Sequence, residues 1–93
     1  MFDHEGKSSL HLASEYGSES VCTALIGANA FVNSKTKAGW TALHFAAQKG
    51  HKNLVDLLVK KKGATLDSLT MKKQTPLHLA ATWGQIEVGL KIR

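Results

Sequence analysis

A short motif that occurs three times constrains this chain more than any other feature of its sequence. The copies read Ser-Ser-Leu-His-Leu-Ala-Ser from residue 8, Thr-Ala-Leu-His-Phe-Ala-Ala from residue 41 and Thr-Pro-Leu-His-Leu-Ala-Ala from residue 75. Their histidines, His11, His44 and His78, recur at intervals of 33 and 34 residues, and a glycine follows each of them by six positions. Recurrence at such a period predicts one small structural unit per copy, with the units stacked on one another.

Each copy carries the residues that begin and end a short helix. Ser8, Thr41 and Thr75 can accept backbone N–H groups as N-caps, and the glycine that follows each motif suits a left-handed helix end. Apolar residues at helical spacing predict a second helix in the first two units, ending near Asn29 and near Gly63. We also expect each motif histidine to hold the turn before its helix by hydrogen bonds.

The unit that this pattern predicts is a helix, a turn, a second helix and a hairpin with its tip at Ala38-Gly39 or Lys72-Lys73. Helices of about eight to ten residues are shorter than the roughly 12–15 residues that an isolated helix needs, so the units must stabilise one another. We therefore predict an all-α solenoid of about three stacked helix-turn-helix units joined by β-hairpin loops. It forms a single domain over residues 1–93, with units at approximately 3–34, 35–68 and 69–93, the last incomplete.

The pattern resembles the ankyrin repeat, whose signature is Thr-Pro-Leu-His-x-Ala-Ala with a period of about 33 residues. The resemblance extends from Asp3 to about Val88. Three features depart from it: Lys73 replaces a tip glycine, one extra residue lies within residues 60–62, and the second helix of the third unit is cut short or degenerate. The resemblance implies a module that binds other proteins in an extended groove, as a fragment of a longer array.

Three segments carry a finer likeness. Residues 10–15 together with residues 31–35 and 73–88 are similar to repeats in the ankyrin array of mechanosensory transient receptor potential channels of the no-mechanoreceptor-potential type. That family implies a tether or spring on the cytoplasmic side of a membrane, and this mechanical role is the alternative to partner binding. The pore residues of such a channel are absent from this sequence.

The net charge and the cysteine content indicate the kind of partner and the cellular compartment that we expect. The net charge is +5, which favours an acidic partner. Cys22 is the only cysteine, which excludes an intrachain disulfide and favours a reducing cytoplasm, and its apolar neighbours predict a buried side chain. The sequence has neither a secretory signal pattern nor an apolar stretch long enough to cross a bilayer.

The histidines suggest a metal site, but the distances between stacked helices argue against one. Equivalent positions on stacked helices lie about 8–10 Å apart, whereas two ligand atoms at about 2 Å from one zinc ion lie about 4 Å apart at most. Ser9 and His11 point away from each other on a helix, so they make no nucleophile and base pair. We predict no catalytic, cofactor or metal site and no enzyme activity, and we expect His51 to be exposed.

We expect a protein or peptide partner to contact the hairpin tips and the ends of the first helices. Large side chains there could anchor a partner, although Trp83 could instead pack on Lys49. The tip lysines could attract an acidic protein surface, anionic lipid or nucleic acid, and the apolar end units could self-associate. We expect no sequence-specific nucleic-acid binding. The predicted partner-binding residues are Tyr16, Lys37, Trp40, Gln48, Lys49, Met71, Lys72 and Trp83.

Overall fold

The computed structural model of the protein describes residues 6–61 and 63–85, which form short helices in three consecutive units. The elements are α1 (Ser9–Tyr16) and α2 (Glu19–Gly27) in the first unit, α3 (Ala42–Lys49) and α4 (Lys52–Asp56) with a π-helical turn (Leu57–Lys61) in the second, and α5 (Pro76–Thr82) in the third. The predicted second helix of the third unit, residues 88–93, lies outside the described residues, as does the predicted start at Asp3.

The first helix of every unit begins at its predicted cap. The Thr41 hydroxyl accepts a hydrogen bond from the His44 backbone N–H (3.4 Å), and the Thr41 backbone N–H donates to Nδ1 of the His44 ring (3.0 Å). Such a reciprocal pair satisfies two of the backbone donors that a helix start leaves open. The same arrangement joins Ser8 to His11 and Thr75 to His78.

The other ring nitrogen of the motif histidine reaches the next hairpin. Because Nδ1 accepts a hydrogen bond in the neutral ring, the proton lies on Nε2. Nε2 of His11 donates to the Ser34 carbonyl (2.8 Å), and Nε2 of His44 donates to the Gln74 carbonyl (3.0 Å). The prediction that these histidines hold the turns is confirmed, and in the first two units each also ties its helix to the next hairpin.

The predicted helix ends also form. Gly17 and Gly50 follow α1 and α3 with φ angles of 80° and 76°, in the left-handed region where a glycine costs least. Asn29 and Gly63 follow the second helical segments with φ angles of 72° and 71°, as their residue types predict. The helix boundaries therefore follow from local residue choice.

The core lies where the helices of successive units meet. Helix α3 packs between α1 and α5, and α2 and α4 pack behind α1 and α3. Cys22 is fully buried, as predicted, and so are Leu43 and Val55 at the unit boundaries. This arrangement confirms the all-α fold of stacked units.

The loops between units are hairpin-shaped, but no β-strand is present in the described residues. One backbone hydrogen bond from Thr36 N–H to the Trp40 carbonyl (2.9 Å) closes the first loop, and one from Thr70 N–H to the Gln74 carbonyl (2.9 Å) closes the second. Arms this short make too few bonds for a ladder, so they stay as turns.

The second unit accommodates its extra residue in the outer helix. Helix α4 ends at Asp56, and the chain continues as a π-helical turn over Leu57–Lys61. A π-helical turn takes one more residue than an α-helical turn, so it accommodates the extra residue within the helix. The irregularity therefore begins before the lysine run at 60–62, where the sequence pattern placed it.

Candidate protein-binding surface

A chain of contacts links the first hairpin to the ends of the first helices. The rings of Trp40 and Phe45 lie 5.0 Å apart, and the Lys7 ammonium lies 5.4 Å from the centre of the Phe45 ring. Lys7 Nζ is 3.6 Å from Oε1 of Glu15, whose Oε2 is 4.0 Å from Lys49 Nζ. Trp40 and Lys49 therefore border one continuous surface, which crosses from the first unit to the second.

Two side chains fasten the helix ends of neighbouring units together. Nε2 of His51 donates to the Glu15 carbonyl (2.8 Å), and the Gln85 amide donates to the Gln48 carbonyl (3.0 Å). A Cβ atom at Gly17 would lie 2.7 Å from the His51 ring, so this glycine also makes room for the contact. The expectation that His51 is exposed is wrong, because this contact half-buries it. Both residues directly follow a helix-ending glycine, which is the signal in the sequence that could have identified them.

Three of the predicted partner-binding residues are large side chains that the fold leaves in solvent. Tyr16 is 81% exposed, Met71 73% and Trp83 59%. A partner that covers these side chains would remove more apolar surface from water than one that covers small side chains. The exposed set also includes Lys37, Lys49 and Lys72.

The other predicted residues have structural contacts of their own. Trp40 is half-buried, and its ring lies 5.9 Å from the His44 ring in addition to its contact with Phe45. Gln48 is half-buried and accepts the Gln85 hydrogen bond through its carbonyl. Substitution of Trp40 is therefore expected to alter the stability of the second unit, which sequence reasoning did not anticipate.

The hairpin tips of the second and third units touch through their backbones. The Met71 N–H donates to the Ala38 carbonyl (2.8 Å), and a Cβ at Gly39 would lie 3.1 Å from the Thr70 Cα. Lys73, at the position equivalent to Gly39, adopts a φ angle of 63°. The two tips thus form one continuous edge, and the missing tip glycine leaves a strained lysine in the tip of the third unit.

Positive charge collects along this edge. Residues 34–41 and 68–75 contain four lysines and no acidic residue. Three lysines elsewhere lie beside acids: Glu15 lies near Lys7 and Lys49, and Asp56 pairs with Lys60 at 3.0 Å. The tips therefore present uncompensated positive charge to an approaching partner.

Two buried groups have shifted acid–base properties. Burial lowers the pKa of His44 from its usual value near 6.5, and nearby Lys35 lowers it further, against hydrogen bonds to the Gln74 and Ser68 carbonyls. Burial also raises the pKa of the Cys22 thiol, which disfavours the reactive thiolate. Both shifts match side chains that serve packing.

The described part of the chain holds no group of three His, Cys, Asp or Glu side chains that could bind a metal ion. None of its helices is long and apolar enough to cross a membrane.

Stacked helix pairs, capped by Thr/Ser and His and joined by hairpin-shaped loops, define a helical-repeat protein that presents an extended surface. A sequence profile described as "Ankyrin repeats (3 copies)" matches residues 10–90. The chain belongs to the ankyrin-repeat family, whose repeat is an interaction module. Its repeats are of the kind that generally mediates protein–protein interaction.

Similar repeats occur within much larger proteins. The chain is 38% identical over 82 residues to human (Homo sapiens) Rabankyrin-5, a match that covers 87% of this chain and 7% of the relative. It is 36% identical over 86 residues to Alpha-latrotoxin-Lt1a of Latrodectus tredecimguttatus, covering 89% and 6%. It is 33% identical to the Nuclear factor NF-kappa-B p105 subunit of Mus musculus, covering 100% of this chain and 10% of the relative. The chain thus spans a tenth or less of these relatives. None of them is a mechanosensory channel, and that finer likeness stays a prediction.

Proposed function

We propose that this chain binds a protein or peptide along the surface that runs from the hairpin tips to the ends of α1, α3 and α5, and that it catalyses no reaction. The observation that supports this most is the exposure of Tyr16 and Trp83 at equivalent helix ends, beside Lys49. Large aromatic side chains at such positions add nothing to the core and commonly dominate interface energy. The chain would act as a piece of a longer cytoplasmic array.

The proposal can be tested with peptides selected from a random library against the folded chain. Their binding would be mapped by amide chemical shifts and measured as Kd for Tyr16→Ala and Trp83→Ala. We expect each substitution to weaken binding about tenfold or more, as hot-spot truncations do. Phe31→Ala is the matched control, because Phe31 is 71% exposed but lies in the loop after α2.

The outcomes separate binding from folding. Unchanged Kd for both variants would contradict the proposal, as would peptides whose shifts cluster on α2 and α4. A loss of thermal stability in Trp83→Ala with unchanged Kd would support the other interpretation, in which Trp83 packs on Lys49.

A mechanical role is the second proposal, in which the chain is a tether segment on the cytoplasmic side of a channel. It is favoured by the open third unit, where Leu77 is 38% exposed while its equivalent Leu43 is fully buried, because a following repeat would cover it. Pulling on an array of such units would distinguish the roles. Graded, reversible extension supports a spring, and discrete stiffening on peptide addition supports binding.

Self-association is another way to cover the exposed face of α5 around Leu77. Sedimentation velocity over a range of concentrations tests this, with Leu77→Glu as the variant that should abolish any dimer. A monomer at all concentrations would exclude self-association.

A further inference from the structure

The hairpin arms of the second and third units carry different chemistry at equivalent positions. Lys35 and Lys37 in the second unit correspond to Leu69 and Met71 in the third. All four are exposed, with Leu69 at 43% and Met71 at 73%. A pair of cations therefore lies beside a pair of exposed apolar side chains. We call these four residues the tip surface.

The two halves of the tip surface are held at a fixed separation. The Met71 N–H donates to the Ala38 carbonyl, and Gly39 lies against the Thr70 backbone, so the hairpins cannot slide past each other without breaking these contacts. Because the first helices of adjacent units pack about 8–10 Å apart, equivalent residues of their hairpins are separated by about the same distance.

A peptide in the extended polyproline II conformation advances about 3.1 Å per residue and completes a turn every three residues, so side chains three positions apart lie on one face about 9 Å apart and span this separation. From the proposed binding function, on which this inference rests, we propose a partner of defined chemistry. The tip surface binds an extended protein segment in which an acidic side chain precedes or follows a large apolar one by three positions. The acidic side chain pairs with Lys35 and Lys37, and the apolar side chain packs on Leu69 and Met71.

The apolar half of the tip surface disfavours nucleic acid and anionic lipid as partners. Nucleic acid or an anionic lipid surface presents negative charge at every position, and it would place charge against Leu69 and Met71, where desolvation is unfavourable.

The test uses fluorescein-labelled peptides of identical composition and anisotropy measurements of Kd. One peptide places Glu three positions from Leu, and the other places the two residues side by side. We expect the first to bind about tenfold more tightly at low salt and to lose most of that advantage at high salt, since the charges are exposed. Lys37→Glu should weaken the first peptide about tenfold and Met71→Ala about threefold.

The matched control is Lys60→Gln, which also removes one exposed lysine but lies on the outer π-helical turn and pairs with Asp56. It should leave Kd unchanged. Pairing Lys37→Gln with a Glu→Gln peptide in a double-mutant cycle tests direct contact, and additive losses would overturn the pairing.

Further outcomes separate this inference from the proposed function. Equal binding of both peptides, or tighter binding of a phosphate-rich oligonucleotide than of the first peptide, would overturn the spacing. If library peptides bind at Tyr16 and Trp83 but lack the acidic and apolar pattern, the proposed peptide-binding function is supported and the proposed partner of the tip surface is wrong. If no peptide shifts either surface, both fail.

Discussion

Helix α3 and helix α5 carry nearly the same motif but differ in what covers them. In α3, Leu43 and His44 are fully buried between two neighbouring units. In α5, Leu77 is 38% exposed and His78 is exposed, although His78 keeps its hydrogen bonds to Thr75. The motif fixes the helix and its cap, and the following unit decides whether its apolar side becomes core. Stability in such a stack therefore resides at the boundaries between units.

The largest expected effect compares the two leucines. Leu43→Ala should lower the free energy of unfolding by about 3–5 kcal/mol, because it leaves a cavity at a covered boundary. Leu77→Ala should cost about 1 kcal/mol or less, because water already reaches the site. Urea denaturation of both variants measures the difference. Equal losses would mean that the α5 face is covered in solution.

The histidines give a second, smaller contrast. His44→Ala removes the cap partner of Thr41 and the bond to the Gln74 carbonyl, leaving buried groups without partners, and should cost about 2–3 kcal/mol. His78→Ala removes only an exposed cap and should cost about 1 kcal/mol. Thermal unfolding of the two variants compares them, and similar shifts in Tm would contradict a tie between units through His44.

Much of this contrast could be predicted from the sequence, because the signals are local. Ser8, Thr41 and Thr75 cap their helices as predicted, and the recurrence at 33 and 34 residues identified the stack. The hydrogen bonds of His51 and Gln85 to the preceding unit were missed, because the one signal for them is their place directly after a helix-ending glycine and their partners are backbone carbonyls. The burial of Trp40 against Phe45 was missed too, since it depends on how two elements of one unit fold back on each other.

The dependence of stability on acid pH should reveal the contribution of the buried His44. Burial lowers the pKa of His44 below 6.5, so the unfolded chain binds a proton there more readily than the folded one. The contribution of neutral His44 is fully present above about pH 6.5, and it is lost as pH falls through the lower folded value. Unfolding free energies measured between about pH 7.5 and 5 should therefore decline.

His44→Gln is the control for that decline, because the amide has no titration in this range. The variant should show a shallower pH dependence than the parent chain. A parent chain whose stability does not fall on acidification would contradict the assignment.

The smallest expected effect concerns the two tips. Gly39 has a left-handed φ of 81° and lies against the Thr70 backbone, so Gly39→Ala should destabilise by more than the roughly 1 kcal/mol of conformational strain alone. Lys73 has a similar φ of 63° at the open end. Lys73→Gly should therefore relieve backbone strain of about 0.5–1 kcal/mol. The greater backbone freedom of glycine in the unfolded chain opposes this gain, so the net rise in the free energy of unfolding should be smaller. Paired urea titrations measure both. A destabilised Lys73→Gly would show that the lysine side chain contributes contacts that outweigh its backbone strain, and that the third tip is not an open copy of the second.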